Sequence, residues 1–185
     1  MFLSLLPLKS DATPHQIHAG LDALYGWSPE VGDRPYLWAL VPTGVLSRSK
    51  TPPVIGGAQT RREGTPVGEE PFMFEVTLNP VRRSDKGERP ILVEAEVKAW
   101  AQNLLQNSGL TLECLEDLEA PALWASRISS APLVKPGRGD SVPLFLWRVR
   151  FLARISDAQK FERAWTSGVG RKKRYGAGML LLARV

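Results

Sequence analysis

The sequence predicts an α+β protein built from two similar units in tandem, and three observations carry that reading. Segments with strand alternation and segments with helical spacing follow one another as β-α-β-β and then β-α-β-β-α-β. The 185 residues are 43% hydrophobic, enough for one ordinary domain or two small ones with packed cores. The chain closes on a glycine-rich loop followed at once by an apolar strand, Gly168-Val-Gly-Arg-Lys-Lys-Arg-Tyr-Gly-Ala-Gly-Met-Leu-Leu-Leu-Ala-Arg-Val185.

Leu3 to Leu8 reads as the first strand. Thr13 is placed to cap a helix, with Pro14 at its first position and Gln16 completing a capping box. That helix runs to about Tyr25 and stops at Gly26. Ile17, Leu21, Leu24 and Tyr25 form its buried stripe, while His15, His18 and Asp22 share an adjoining face. Tyr36 to Val41 is a second strand and Pro53 to Ala58 a weaker third, in a stretch (42–71) otherwise read as loop. Phe72 to Leu78 is a strong strand ended by Asn79-Pro80. A basic turn follows, with Arg82, Arg83, Lys86 and Arg89 around Gly87.

The helix from about Val93 to Asn107 turns Val97, Trp100, Ala101, Leu104 and Leu105 inward and ends before Gly109. Leu110 to Leu115 and Leu123 to Ile128 read as strands, separated by the acidic Glu116 to Glu119. Residues 130–142 read as a Pro/Gly loop carrying Lys135 and Arg138. Pro143 to Leu152 alternates Trp147, Val149 and Phe151 with Arg148 and Arg150, so one face is buried and the other basic. Ser156 is the expected cap of a last helix reaching Thr166, with Phe161, Ala164 and Trp165 inward. The order of elements gives tandem ferredoxin-like units, the first degenerate and the second nearly complete. The division is set at 1–80 and 81–185, although Phe72 to Leu78 fits either side of it.

Composition narrows the function. Cys114 is the only cysteine, which excludes an intrachain disulfide framework and suits a reducing cytoplasm. Two histidines and one cysteine argue against structural zinc, so no metal or cofactor is expected. The apolar start is short and lacks a basic region, so it reads as a strand rather than a signal peptide. No run approaches the length of a membrane span. The net charge of +5 is unevenly spread: residues 121–185 hold 13 Lys and Arg against 3 Asp and Glu, and residues 1–120 hold 11 against 16. One face for a polyanion is the direct implication.

In the terminal loop, Gly168, Gly170, Gly176 and Gly178 bracket Arg171, Lys172, Lys173 and Arg174. Glycines admit backbone N–H groups close to a ligand, and the cations suit phosphates. The third glycine of a dinucleotide fingerprint is missing, and no Gly-Lys-Ser/Thr follows as a P-loop requires. A nucleic-acid backbone is therefore the expected ligand. Arg82 and Arg83 bind a nucleic-acid stem or solubilise a turn. Arg148 and Arg150 contact the nucleic acid, or line an exposed strand. Trp100, Trp147, Trp165 and Cys114 are expected in the core.

Five stretches carry a resemblance: Met1-Phe-Leu-Ser; Pro14-His-Gln-Ile-His-Ala-Gly-Leu21; Phe74-Glu-Val-Thr-Leu-Asn-Pro80 with Gly87-Glu-Arg89; Glu94-Ala-Glu-Val-Lys-Ala-Trp100; and the terminal loop. In order and spacing the chain resembles the CasE-type CRISPR-associated repeat endoribonucleases, the Cas-six group of the RAMP superfamily. The resemblance implies RAMP/RRM-like domains and a metal-independent endoribonuclease. Its substrate would be the stem-loop of CRISPR repeats in precursor RNA, cut at the 3′ base of the hairpin. It also implies retention of mature crRNA, partners among Cascade-type subunits, and no membrane.

The family histidine falls on His18, expected as the base that takes the 2′-OH proton. His15, where the family usually has a tyrosine, is expected as the acid or as a donor orienting the phosphate. The helix lysine of the family is replaced by Asp22 and Ala23. Asp22 either raises the pKa of His18 or is simply solvated, and solvation is the favoured reading. Two other classes fit the residues: a non-catalytic RNA-binding subunit, and a ferredoxin-like protein-interaction module using the acidic half.

Overall fold

The structure is a computed structural model describing residues 1–8, 12, 14–85, 87–114, 121–129, 132–134 and 141–183. The expected Thr13 cap, Lys86, the acidic run 116–119, Lys135, Arg138 and the side chain of His15 lie outside what is described.

The first unit comprises β1 (Phe2–Leu6), α1 (Pro14–Leu24), β2 (Tyr36–Val41), β3 (Gly44–Ser49) and β4 (Gln59–Arg62). Its sheet is antiparallel in the order β2-β3-β1-β4, the strand permutation of a ferredoxin-like unit. Residues 50–58 join β3 to β4 directly, where a complete unit has its second helix. The unit is degenerate for that reason. Ile17, Leu21 and Leu24 of α1 pack on Tyr36, Trp38 and Val45, as helical spacing requires. Leu3, Leu37 and Ala39 face the other way, onto Met179 of the second unit.

Strand β3 departs from the sequence expectation, which placed the third strand at Pro53 to Ala58. Val54 and Ile55 of that segment are exposed. The true strand is polar yet buried: Ser47, Arg48 and Ser49 are all at most 1% exposed. Each has a partner. Ser47 Oγ is 2.8 Å from the Tyr25 hydroxyl, and Ser49 Oγ donates to Thr51 O at 2.5 Å. Arg48 donates to Trp165 O and Leu180 O at 3.1 and 2.9 Å, and its Nε lies 2.5 Å from Glu63 Oε2. Its guanidinium also stacks 3.7 Å from the Trp165 ring centroid. Arg48 thus ties the first sheet to the second unit.

The second unit contains β5 (Phe72–Leu78), β6 (Val81–Ser84), β7 (Gly87–Pro90), α2 (Glu94–Gln106), β8 (Leu110–Leu112) and β9 (Leu123–Ser129). It continues with β10 (Pro132–Val134), β11 (Ser141–Pro143), β12 (Leu146–Ile155), α3 (Ala158–Ser167) and β13 (Leu181–Leu182). The main sheet runs β13-β5-β12-β8, and β9 continues the β8 side of β12. This is the same permutation with both helices present. Val97, Ala101 and Leu105 of α2 and Phe161 and Trp165 of α3 pack on Phe74, Val76, Val149 and Phe151.

The expected boundary at residue 80 is displaced by this pairing. β5 bonds to β12 and β13, so Phe72–Leu78 opens the second sheet and does not close the first. The basic turn is a hairpin, β6–β7, and a second hairpin, β10–β11, occupies part of the expected loop 130–142. Asp157, not Ser156, caps α3, accepting from Lys160 N at 3.0 Å. Cys114, expected in the core, is exposed. Among the described residues no helix is long and apolar enough to cross a membrane.

Candidate functional site

The terminal loop is held by its glycines. Val169 N donates to Gly178 O at 2.8 Å, and Gly178 N donates to Thr77 O at 2.7 Å, which closes residues 169–178 onto the end of β5. Gly178 has φ +86, and a Cβ there would meet Val169 O at 2.1 Å; a Cβ on Gly176 would meet the Trp38 ring at 2.8 Å. Both glycines are buried, and the Gly176 N–H bonds Lys173 O. Their expected role as close backbone donors to a ligand is therefore replaced by a packing role. Trp38 Nε1 donates to Arg174 O at 3.1 Å, a further clamp.

The clamped loop lies against α1. The His18 ring stands edge-to-face with Trp38, centroids 5.5 Å apart, and with Tyr175, centroids 5.9 Å apart. The chain's two expected functional stretches, 157 positions apart, thus meet in one place. Tyr175 lines an open cleft of about 520 Å³ with Glu88, Gly170 and Arg171 to Arg174. Sequence reasoning missed Tyr175 and Trp38. The available signal was an aromatic residue standing between the cations and Gly176.

Four cations border this cleft, but they are not equivalent. Glu88 of β7 engages Arg171 and lies 3.8 Å from Lys172 Nζ, latching the β6–β7 hairpin to the loop. Lys173 and Arg174 have no carboxylate partner among the described residues. Partial burial pushes the Lys173 ammonium below its ordinary pKa, the effect an arriving anion would reverse. On the hairpin, Arg82 pairs with Glu96 at 3.2 Å, while Arg83 sits opposite Glu88 and is exposed. Replacing both Lys173 and Arg174 by alanine should weaken polyanion binding and reduce its salt slope by about two, one for each phosphate no longer neutralised. Filter binding across a salt series measures this.

Asp22 is not simply solvated: it interacts electrostatically with His18 and is also held by two neighbours. Arg34 grips it with both ends of its guanidinium, at 2.9 and 3.0 Å, and the Tyr36 hydroxyl donates to it at 2.5 Å. Burial tends to raise its pKa; hydrogen bonds from Arg34 and Tyr36 and the Arg34 charge outweigh this and hold it below the ordinary 3.8. A depressed carboxylate contributes stability above its unfolded value and loses it as pH falls through the folded one. Wild type should therefore lose stability below about pH 4. Asp22→Asn should cost about 1–3 kcal/mol at neutral pH and flatten that acid limb in thermal melts.

Arg148 and Arg150 do not line the cleft. They project from the open face of β12 and flank Glu75, at 3.4 and 2.7 Å. Arg148 lies opposite Thr77, whose carbonyl anchors Gly178, so it stands at the base of the loop.

An imidazole packed against a phenol that lines a cationic cleft is a pairing suited to holding an anionic chain and moving protons at a phosphate. Solved structures share the frame. The chain is similar to Cas6e from Escherichia coli K-12, at 25% identity over all of both chains with a TM-score of 0.69. It is also similar to Thermus thermophilus Cse3 bound to an RNA representing a pre-cleavage complex, at 22% identity over 99% of this chain and 98% of that one, with a TM-score of 0.77. A chain of a CRISPR RNA-guided surveillance complex aligns over the whole length of both at 21% identity, with a TM-score of 0.71. No curated protein matches the sequence. The motifs, the doubled ferredoxin-like frame and a family profile matching residues 1–184 agree: the chain belongs to the CRISPR associated protein family and is of its CasE type.

Proposed function

We propose that this protein is an endoribonuclease that binds the stem-loop of CRISPR repeats in precursor RNA and cuts at the 3′ base of the hairpin. The observation that carries the reading is the meeting of His18 with the cationic terminal loop at Tyr175. One residue supplies a proton acceptor, the other element supplies positive charge, and neither alone would place a scissile bond. His18 takes the proton of the 2′-OH upstream of the cut, and the 2′-oxygen attacks phosphorus. The products are a 2′,3′-cyclic phosphate and a 5′-OH, and DNA is spared because it lacks the nucleophile.

Lys173 and Arg174 meet the backbone, and the β6–β7 hairpin, with Arg82 and Arg83, borders the stem. Arg148 continues the basic surface at the base of the loop. No metal is needed, since base and charge come from the protein. The protein keeps its mature crRNA and joins a Cascade-type complex. This is supported by the fold shared with a chain of an RNA-guided surveillance complex.

The test incubates the protein with its cognate repeat RNA in EDTA and analyses both new ends. A single EDTA-resistant cut with a cyclic phosphate and a 5′-OH is expected. Tight hairpin binding without any cut would make the chain a non-catalytic RNA-binding subunit.

A further inference from the structure

We propose that Tyr175 is a second catalytic residue of this cleft, its phenol donating the proton taken up by the leaving 5′-oxygen. The inference rests on the ribonuclease reading above and adds to it the acid that the reaction needs.

Three features of Tyr175 support it. Its ring is edge-to-face with His18, at an interplanar angle of 86°. The cleft that Tyr175 lines is thus separated from the His18 imidazole, whose two nitrogens are buried, by the Tyr175 ring itself. Its hydroxyl is also the exception among the three tyrosines. The Tyr25 hydroxyl is committed to Ser47 and that of Tyr36 to Asp22, whereas the Tyr175 hydroxyl makes no hydrogen bond to any described residue. Finally, the ring is fixed before substrate arrives. Lys172, at φ +62, turns the chain into the short 3-10 segment Lys173–Tyr175, and Gly176 follows at φ +80 packed on Trp38. The Trp38 bond to Arg174 O holds the residue just before it. A loop needed only for charge would not require its aromatic residue to be held this closely.

The step balances. As the 2′-oxygen bonds to phosphorus its proton passes to His18. The bond from phosphorus to the 5′-oxygen breaks, and that oxygen takes the proton of the Tyr175 hydroxyl. The products are the cyclic phosphate and the 5′-OH. The proton held by His18 then returns through water to the phenolate.

The experiment compares Tyr175→Phe, His18→Ala and wild type on two repeat RNAs, one unmodified and one with sulfur replacing the leaving 5′-oxygen. A thiolate departs without protonation, so only the acid becomes dispensable. Y175F should cut the unmodified RNA about 10²- to 10³-fold more slowly than wild type. It should cut the sulfur-substituted RNA at close to the wild-type rate and bind the hairpin as tightly. H18A should stay slow on both. Equal slowing of Y175F on both RNAs, no slowing on either, or loss of hairpin binding would each overturn the assignment. Failure of the underlying reading looks different: wild type would not cut, or H18A would cut normally. Partial unfolding of Y175F does not confuse the outcome, because the folded fraction cancels in the ratio of its two rates.

Discussion

Replacing His18 by alanine should lower the single-turnover rate on repeat RNA by about 10³-fold, within the usual range for a positioned general base. Hairpin affinity should be unchanged, because the four cations bordering the cleft all come from the terminal loop. The substitution also removes a ring from between Trp38 and Tyr175, with a stability cost of about 0.5–1.5 kcal/mol for the aromatic pairings. His18→Phe separates the two effects: it keeps a ring there and should still fail to cut. Normal cutting by either variant would remove the role of base from His18.

The largest expected effect on stability comes from Arg48→Ala. The side chain is buried, joins β3 to Trp165 O, Leu180 O and Glu63, and stacks on the Trp165 ring. Truncation strands a carboxylate that is 16% exposed and leaves two carbonyls without this donor. Breaking a buried pair in this way costs about 3–5 kcal/mol, and in a chain of this size should lower Tm by about 10 °C or more. Leu180 lies two residues beyond Gly178, so loosening this junction should also weaken RNA binding although Arg48 is far from solvent. A destabilisation below about 1 kcal/mol in urea denaturation would show that the two units are held together by other interactions.

What the sequence revealed, and what it hid, follows from the range of the interactions involved. α1, α2, β5 and β12 were legible because their apolar periodicity is a local property, as with Ile17, Leu21 and Leu24 or Trp147, Val149 and Phe151. β3 was not. Its Ser47 and Arg48 are polar, and the groups that let them be buried lie as far away as Trp165 and Leu180. The role of β5 was equally non-local, since only its bonds to β12 and β13 place it in the second sheet. Within the candidate site, His18 and the basic loop were singled out from residue type, motif and resemblance. Their meeting was not, because it depends on a Trp38 clamp that no spacing encodes. The glycines were recognised correctly as special, but Gly176 and Gly178 are needed for close packing on Trp38 and Val169, not for approach to a ligand.

The central claim is that one cleft holds the RNA and moves a proton from its own 2′-hydroxyl. The most direct measurement uses repeat RNA carrying a single 2′-deoxy substitution at the nucleotide just upstream of the cut, with binding and cleavage followed in the same reaction. The account predicts hairpin binding at full affinity with no product. Cleavage of that RNA at the normal rate would contradict it.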